Sequence, residues 1–85
     1  MVKILDEKIK IHSNEADQTY HGNWFLFDTR EFGSVSSIGY IVAMGDDSDE
    51  AWEQLWKIND DYFDSGCFLM RGFKDRELGF SIVYH

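Results

Sequence analysis

The stretch of sequence that decides the fold is residues 46–66, DDSDEAWEQLWKINDDYFDSG. Asp47 in the N-cap position with Glu50 three residues later has the form of a capping box. The pair Ser65-Gly66 is typical of the end of a helix. These signals predict a helix over residues 48–64, and no proline interrupts it.

The apolar residues of this predicted helix lie on one side. At 100° per residue they form an arc of about 160°. The central stripe of the arc is Ala51, Leu55, Ile58 and Tyr62, and the flank is Trp52, Trp56 and Phe63. An arc of this width predicts that the helix packs on a sheet and leaves its other side in solvent.

Strand patterns lie on both sides of the helix in the sequence. The predicted strands are Val2–His12 with a bulge or turn near Asp6-Glu7, Trp24–Phe32, Ile38–Met44, Cys67–Phe73 and Leu78–Tyr84. The second and third predicted strands lie on either side of the turn-prone residues 33–37, which predicts a hairpin. Residues 13–22 are polar and show no periodicity, which predicts a loop. The expected fold class is α+β, a single mainly antiparallel sheet (β-β-β-α-β-β) with one acidic amphipathic helix packed on one face.

Length and composition predict a single α+β domain over residues 1–85. Hydrophobic residues make up 44% of the chain and aromatic residues 16%, which is enough for a core and argues against disorder. No apolar run approaches the length of a membrane span, and acids at positions 6 and 7 precede any signal-peptide core. The lone Cys67 forms no internal disulfide. We therefore expect a cytoplasmic protein without membrane contact.

The negative charge is concentrated in one segment. The chain has 16 acidic residues against 8 Lys and Arg, a formal net charge of −8. Half of the acids lie in the 19 residues from 46 to 64, which contain one base, Lys57. These acids are Asp46, Asp47, Asp49, Glu50, Glu53, Asp60, Asp61 and Asp64. A nearly neutral chain with one strongly acidic segment favours a surface for a basic partner.

The spacing of these acids is close to that of phosphates in nucleic acid. Eight acids along 19 helical residues give one charge per about 3.5 Å, and one DNA strand has a phosphate every 3.4 Å. Acids in the first turn also complement the helix dipole, which explains half of them by stability alone. Asp60, Asp61 and Asp64 oppose the dipole by about 0.3–1 kcal/mol each, so they favour a role in binding.

The candidate partner-binding residues are therefore Asp49, Glu53, Trp56, Asp60, Asp61 and Asp64. Trp56 lies at the boundary of the apolar arc, where a tryptophan is either a core residue or an interface anchor. The alternative interpretation of the acids is an ordinary solvated helix face.

The sequence contains no pattern for a catalytic, cofactor or metal site. The three histidines, His12, His21 and His85, lack the paired spacing of metal ligands. Residues 60–64 match the Asp-Asp-x-x-Asp spelling of magnesium-binding prenyl-transferring enzymes, but those enzymes need a second cluster on a large helical bundle. A calcium loop begun at Asp46 would have Ala51 and Lys57 at the positions of its glycine and glutamate. We expect no enzyme activity, no cofactor and no bound metal.

The leading hypothesis is a small acidic protein that inhibits a basic nucleic-acid-binding protein or nuclease by presenting its helix in place of phosphates. In size and charge, but not in sequence, the chain resembles phage anti-restriction and anti-CRISPR proteins and bacterial toxin-immunity proteins. The first alternative is a toxin-immunity protein or antitoxin. The second is an oligomeric structural protein, such as a homodimer, or a small enzyme, built on the aromatic hairpin residues Trp24-Phe25-Leu26-Phe27. The net charge predicts no direct binding to nucleic acid.

Overall fold

A computed structural model of the chain describes residues 1–33 and 36–72. The elements are β1 (Val2–His12), α1 (Ser13–Thr19), β2 (Trp24–Asp28), β3 (Ile38–Gly45), α2 (Asp49–Tyr62) and β4 (Phe68–Arg71). The four strands form one sheet in the order β1-β3-β2-β4, and each neighbouring pair is antiparallel. The predicted α+β class with one mainly antiparallel sheet is confirmed. The predicted strand Leu78–Tyr84 lies outside the described residues.

Two local predictions for the sheet are confirmed. The pairing of β1 with β3 shifts register between Ile4 and Ile9, which is where the bulge was predicted. β2 and β3 pair as the predicted hairpin. β2 ends at Asp28, four residues earlier than predicted, because the Asp28 side chain accepts a hydrogen bond from the backbone N–H of Arg30 and turns the chain.

The loop predicted at residues 13–22 is wrong, because Ser13–Thr19 form helix α1. The His12 side chain accepts a hydrogen bond from the backbone N–H of Asn14 at 3.2 Å and caps the helix. Ala16 is fully buried, and Asp17 is almost fully buried. A helix of seven residues has little stability of its own, so its contact with the sheet stabilises it. For this reason it forms although its sequence shows no helical periodicity.

Apolar side chains are buried on both faces of the sheet. The cluster on the α2 side contains Leu26, Val42, Ala43, Leu55 and Cys67. The cluster on the other side contains Ala16, Phe25, Phe27 and Ile41. Neighbouring residues of β2 alternate between the two clusters, as strand geometry requires. The sheet therefore has a core on each side, and α1 contributes to the second one.

The start of α2 differs by one residue from the prediction. Ser48 is the N-cap residue rather than Asp47, and its Oγ accepts a hydrogen bond from the backbone N–H of Ala51 at 3.1 Å. The Ser48 hydroxyl also donates to Asp46 at 2.5 Å. The loop between β3 and α2 is thus tied directly to the first turn of the helix.

Asn59 joins the end of α2 to the start of β4. Its side chain is 1% exposed, donates to the carbonyl oxygen of Cys67 at 3.1 Å and accepts from the Cys67 N–H at 3.0 Å. Tyr62, predicted on the buried stripe, is instead 69% exposed. Asp64 and Ser65 have φ values of 52° and 58°, the left-handed conformation that ends a helix. The helix therefore ends at Tyr62, two residues before the predicted end.

Candidate partner-binding surface

The six predicted site residues are all exposed, and the structure brings four of them together. Those on one exposed stripe of α2 are Asp49, Glu53, Trp56 and Asp60. Their positions around the helix span about 60°. Asp61 lies about 100° around the helix from Asp60 and lines a separate cleft with Val2 and Tyr62.

The other acids near the end of α2 take part in ending the helix. Asp64 lies beyond the last helical residue in the left-handed conformation, which Asp adopts more readily than most residues. Asp60 accepts a hydrogen bond from the Ser65 hydroxyl at 2.5 Å. Asp60 and Asp64 oppose the helix dipole, but these contacts give both residues a structural role.

The acids on α2 form two groups rather than an even row. They are Asp49, Glu50 and Glu53 near the N-terminal end and Asp60 and Asp61 near the C-terminal end. Glu53 and Asp60 are separated by about 10 Å along the helix axis, with Trp56 between them. The uniform spacing of about 3.5 Å inferred from the sequence does not describe this helix, and its surface has two negative patches with an aromatic patch between.

The acids that precede α2 are paired with cations. Asp46 lies 2.6 Å from the N-terminal ammonium of Met1, which holds the pKa of Asp46 at about 2. Asp47 accepts a hydrogen bond from Nε of Arg71 at 2.7 Å. These two carboxylates contribute to joining the strands to the helix, so less of their charge is left for a partner.

The acids on the helix itself are in a different situation. Within residues 1–33 and 36–72, none of Asp49, Glu53 and Asp61 forms an ion pair. Lys57 follows Glu53 by four residues, the usual spacing of a helical ion pair, yet no such pair forms. The negative field of α2 is therefore available to an approaching cation.

Two half-exposed tryptophans lie among these acids. Trp52 and Trp56 are 41% and 42% exposed and pack edge to face, with ring centroids 6.1 Å apart and an interplanar angle of 81°. The exposure of Trp56 places it at the surface rather than in the core. Tryptophan is enriched in protein interfaces and among residues that dominate binding energy, so the pair makes this surface a candidate contact site.

A cleft of about 360 Å³ opens beside this pair, between β2 and α2. It is lined by Trp24, Asp49, Trp52 and Glu53. From the sequence, Trp24 was predicted in the aromatic hairpin and Trp52 in the flank that packs on the sheet. Neither was predicted as a site residue, because Trp24 reaches the cleft only when α2 packs across β2. The one available signal was the position of Trp52 between two acids of the outer stripe.

Other reactive side chains in the described residues have structural surroundings. Burial raises the pKa of the Cys67 thiol to about 11, which keeps it protonated and unreactive near neutral pH. His12 caps α1 through its side chain. In the described ranges, no three His, Cys, Asp or Glu side chains are grouped in a way that could hold a metal ion.

Comparisons with known proteins found no matching family model, no matching curated protein and no matching solved structure. No helix in the described part of the chain is both long enough and apolar enough to cross a membrane. The acidic and aromatic surface of α2 is therefore the feature that indicates the class of protein.

Proposed function

We propose that the protein is a small acidic binding protein that inhibits a basic nucleic-acid-binding protein or nuclease. In this proposal α2 occupies the groove of the partner that normally holds phosphates. The observation that supports it is the surface of α2, where carboxylates without ion pairs in the described residues flank two exposed tryptophans.

The chemistry of such a groove suits this surface. Nucleic-acid-binding grooves contain Lys and Arg side chains that neutralise phosphates, and carboxylates offer the same charge and hydrogen-bond acceptors. The two acidic groups of α2 are about 10 Å apart, close to three phosphate steps of one strand. Exposed charges increase the association rate, while tryptophan side chains provide contact area that slows dissociation.

Burial of the aromatic hairpin favours the helix over the hairpin as the contact surface. Phe25 and Leu26 are fully buried and Phe27 is nearly so, which leaves only Trp24 of that segment half-buried. The proposal therefore involves the helix rather than the hairpin. It includes no catalytic step and no cofactor, and it places the protein in the cytoplasm with its partner.

Affinity capture with matched charge variants tests the proposal. The immobilised protein should retain nucleic-acid-binding proteins from a cell lysate, and added duplex DNA should elute them. The variant Asp60→Asn/Asp61→Asn/Asp64→Asn should lose most of this capture. The matched control, Asp6→Asn/Glu7→Gln/Glu15→Gln, changes the net charge equally at exposed positions outside α2 and should capture normally.

Two results would contradict the proposal. One is a set of captured proteins that DNA does not displace and that both triple variants retain equally. The other is a gel shift of DNA or RNA by the protein alone at physiological salt, because a chain that binds nucleic acid directly would not need to imitate it.

A further inference from the structure

We propose that the cleft between β2 and α2 binds an arginine side chain of the partner, with its guanidinium against Trp24 and Trp52 and paired with Asp49 and Glu53. This inference rests on the proposed function, because it names the side chain that the basic partner inserts. In this site the tryptophans help to recognise the arginine, a role that they would not have if the protein only replaced phosphates with carboxylates.

The lining of the cleft matches the chemistry of a guanidinium. Two indole rings and two carboxylates line it. A guanidinium is planar and weakly hydrated, stacks on aromatic rings and presents five N–H donors. Carboxylates accept those donors in short, charge-assisted hydrogen bonds. A lysine ammonium is compact and strongly hydrated, so it loses more on leaving water and gains less from the rings.

The helical spacing places these groups around one opening. Asp49 and Glu53 are four residues apart and lie one above the other on α2, and Trp52 lies three residues after Asp49. Trp24 faces them from β2, which pairs with β4 beneath the helix. A volume of about 360 Å³ is at the lower end of the range for ligand sites, which suits a single side chain.

The arginine beside Trp24 in the sheet does not pair with the two carboxylates of the cleft. Arg71 is the cross-strand partner of Trp24, and its Nε is bound by Asp47 at 2.7 Å. Within residues 1–33 and 36–72, neither Asp49 nor Glu53 forms an ion pair. The cleft thus combines aromatic faces with two carboxylates that form no ion pair in the described residues, which favours a cation over a neutral or anionic ligand.

Titration with a minimal arginine probe tests the site without the partner. N-acetyl-arginine amide is added to ¹⁵N-labelled protein, and the indole N–H signals of the three tryptophans are followed by NMR. We expect saturable shifts at Trp24 and Trp52 and smaller shifts at Trp56, which does not line the cleft. N-acetyl-citrulline amide, the neutral analogue, and N-acetyl-lysine amide should bind at least about tenfold more weakly.

Charge variants connect the binding to the cleft. Asp49→Asn/Glu53→Gln should weaken arginine-amide binding about tenfold, since it removes both charged acceptors. Asp60→Asn/Asp61→Asn changes the charge equally on the same helix and should weaken it less than about twofold, because these acids do not line the cleft and lie about 10 Å or more from Glu53 along the helix, beyond the screening length of about 8 Å at physiological salt. Both pairs are exposed, and thermal unfolding checks that each variant remains folded.

The results separate this inference from the proposed function. Absence of saturable shifts, equal shifts with citrulline or lysine amide, or equal weakening by both double variants would overturn the arginine site. If nucleic-acid-binding proteins were still captured in that case, the proposed function would stand without the site. Saturable arginine binding with no such protein captured would keep the site and overturn the proposed function.

Discussion

Replacement of Asn59 by alanine should destabilise the protein more than any single change on the acidic surface. Asn59 is 1% exposed and satisfies both the N–H and the carbonyl oxygen of Cys67. Asn59→Ala leaves two buried backbone groups without partners, and each costs about 1–3 kcal/mol, so the expected loss is about 2–6 kcal/mol. Small domains have about 5–15 kcal/mol in total, so the change removes a large fraction of the stability.

Urea unfolding followed by tryptophan fluorescence measures this loss. The midpoint should fall with an unchanged m-value, because the folded state stays compact. Gln54→Ala, on the exposed side of the same helix, is the control and should change stability by less than about 0.5 kcal/mol. Asn59→Asp keeps the acceptor but loses the donor and buries a charge, so it should also destabilise at neutral pH. A loss below about 1 kcal/mol for Asn59→Ala would refute the role assigned to these hydrogen bonds.

Three further predictions concern the supporting structure. Ser48→Ala removes the N-cap acceptor of Ala51 and should cost about 1 kcal/mol in urea unfolding. Gly39→Ala places a Cβ 2.7 Å from the Asp28 carbonyl oxygen and should lower stability by about 1–3 kcal/mol; an unchanged thermal midpoint would contradict this packing. Cys67 should react with a thiol reagent at pH 8 far more slowly in native than in urea-unfolded protein. Because burial raises its pKa from 9.0 to about 11, the thiol's stabilisation, measured against Cys67→Ala, is complete below pH 9 and declines as the pH rises toward 11.

Several features of the fold could be predicted from residues that are close together in the chain. Apolar residues at helical spacing predict Ala51 and Leu55 as buried, and both are. The turn-prone residues between β2 and β3 predict their hairpin, and the out-of-phase apolar residues of β1 predict its bulge. These features depend on residues close together in the chain, so their periodicity and turn chemistry are visible without the fold.

The candidate site also combines features that the sequence predicts with features that depend on the fold. The acids of α2 and their outward stripe follow from composition and helical spacing, because charged side chains without buried partners stay in solvent. Which acids of residues 46–64 form ion pairs or hydrogen bonds does not follow from the sequence. Asp47 is paired by Arg71, 24 residues away, and Asp60 is bound by Ser65 only because the chain reverses after the helix.

The sequence by itself determined the acidic helix, the hairpin and the antiparallel α+β class, since these arise from local propensity and from the periodicity of apolar residues. Only the tertiary structure decided that residues 13–19 are helical, that Asn59 rather than Tyr62 is buried, and that Trp24 meets Trp52 in a cleft. The physical reason is that each of these depends on contact with a part of the chain outside its own helix or strand. A buried amide is stable only where backbone groups meet it, and a short helix only where a sheet covers it.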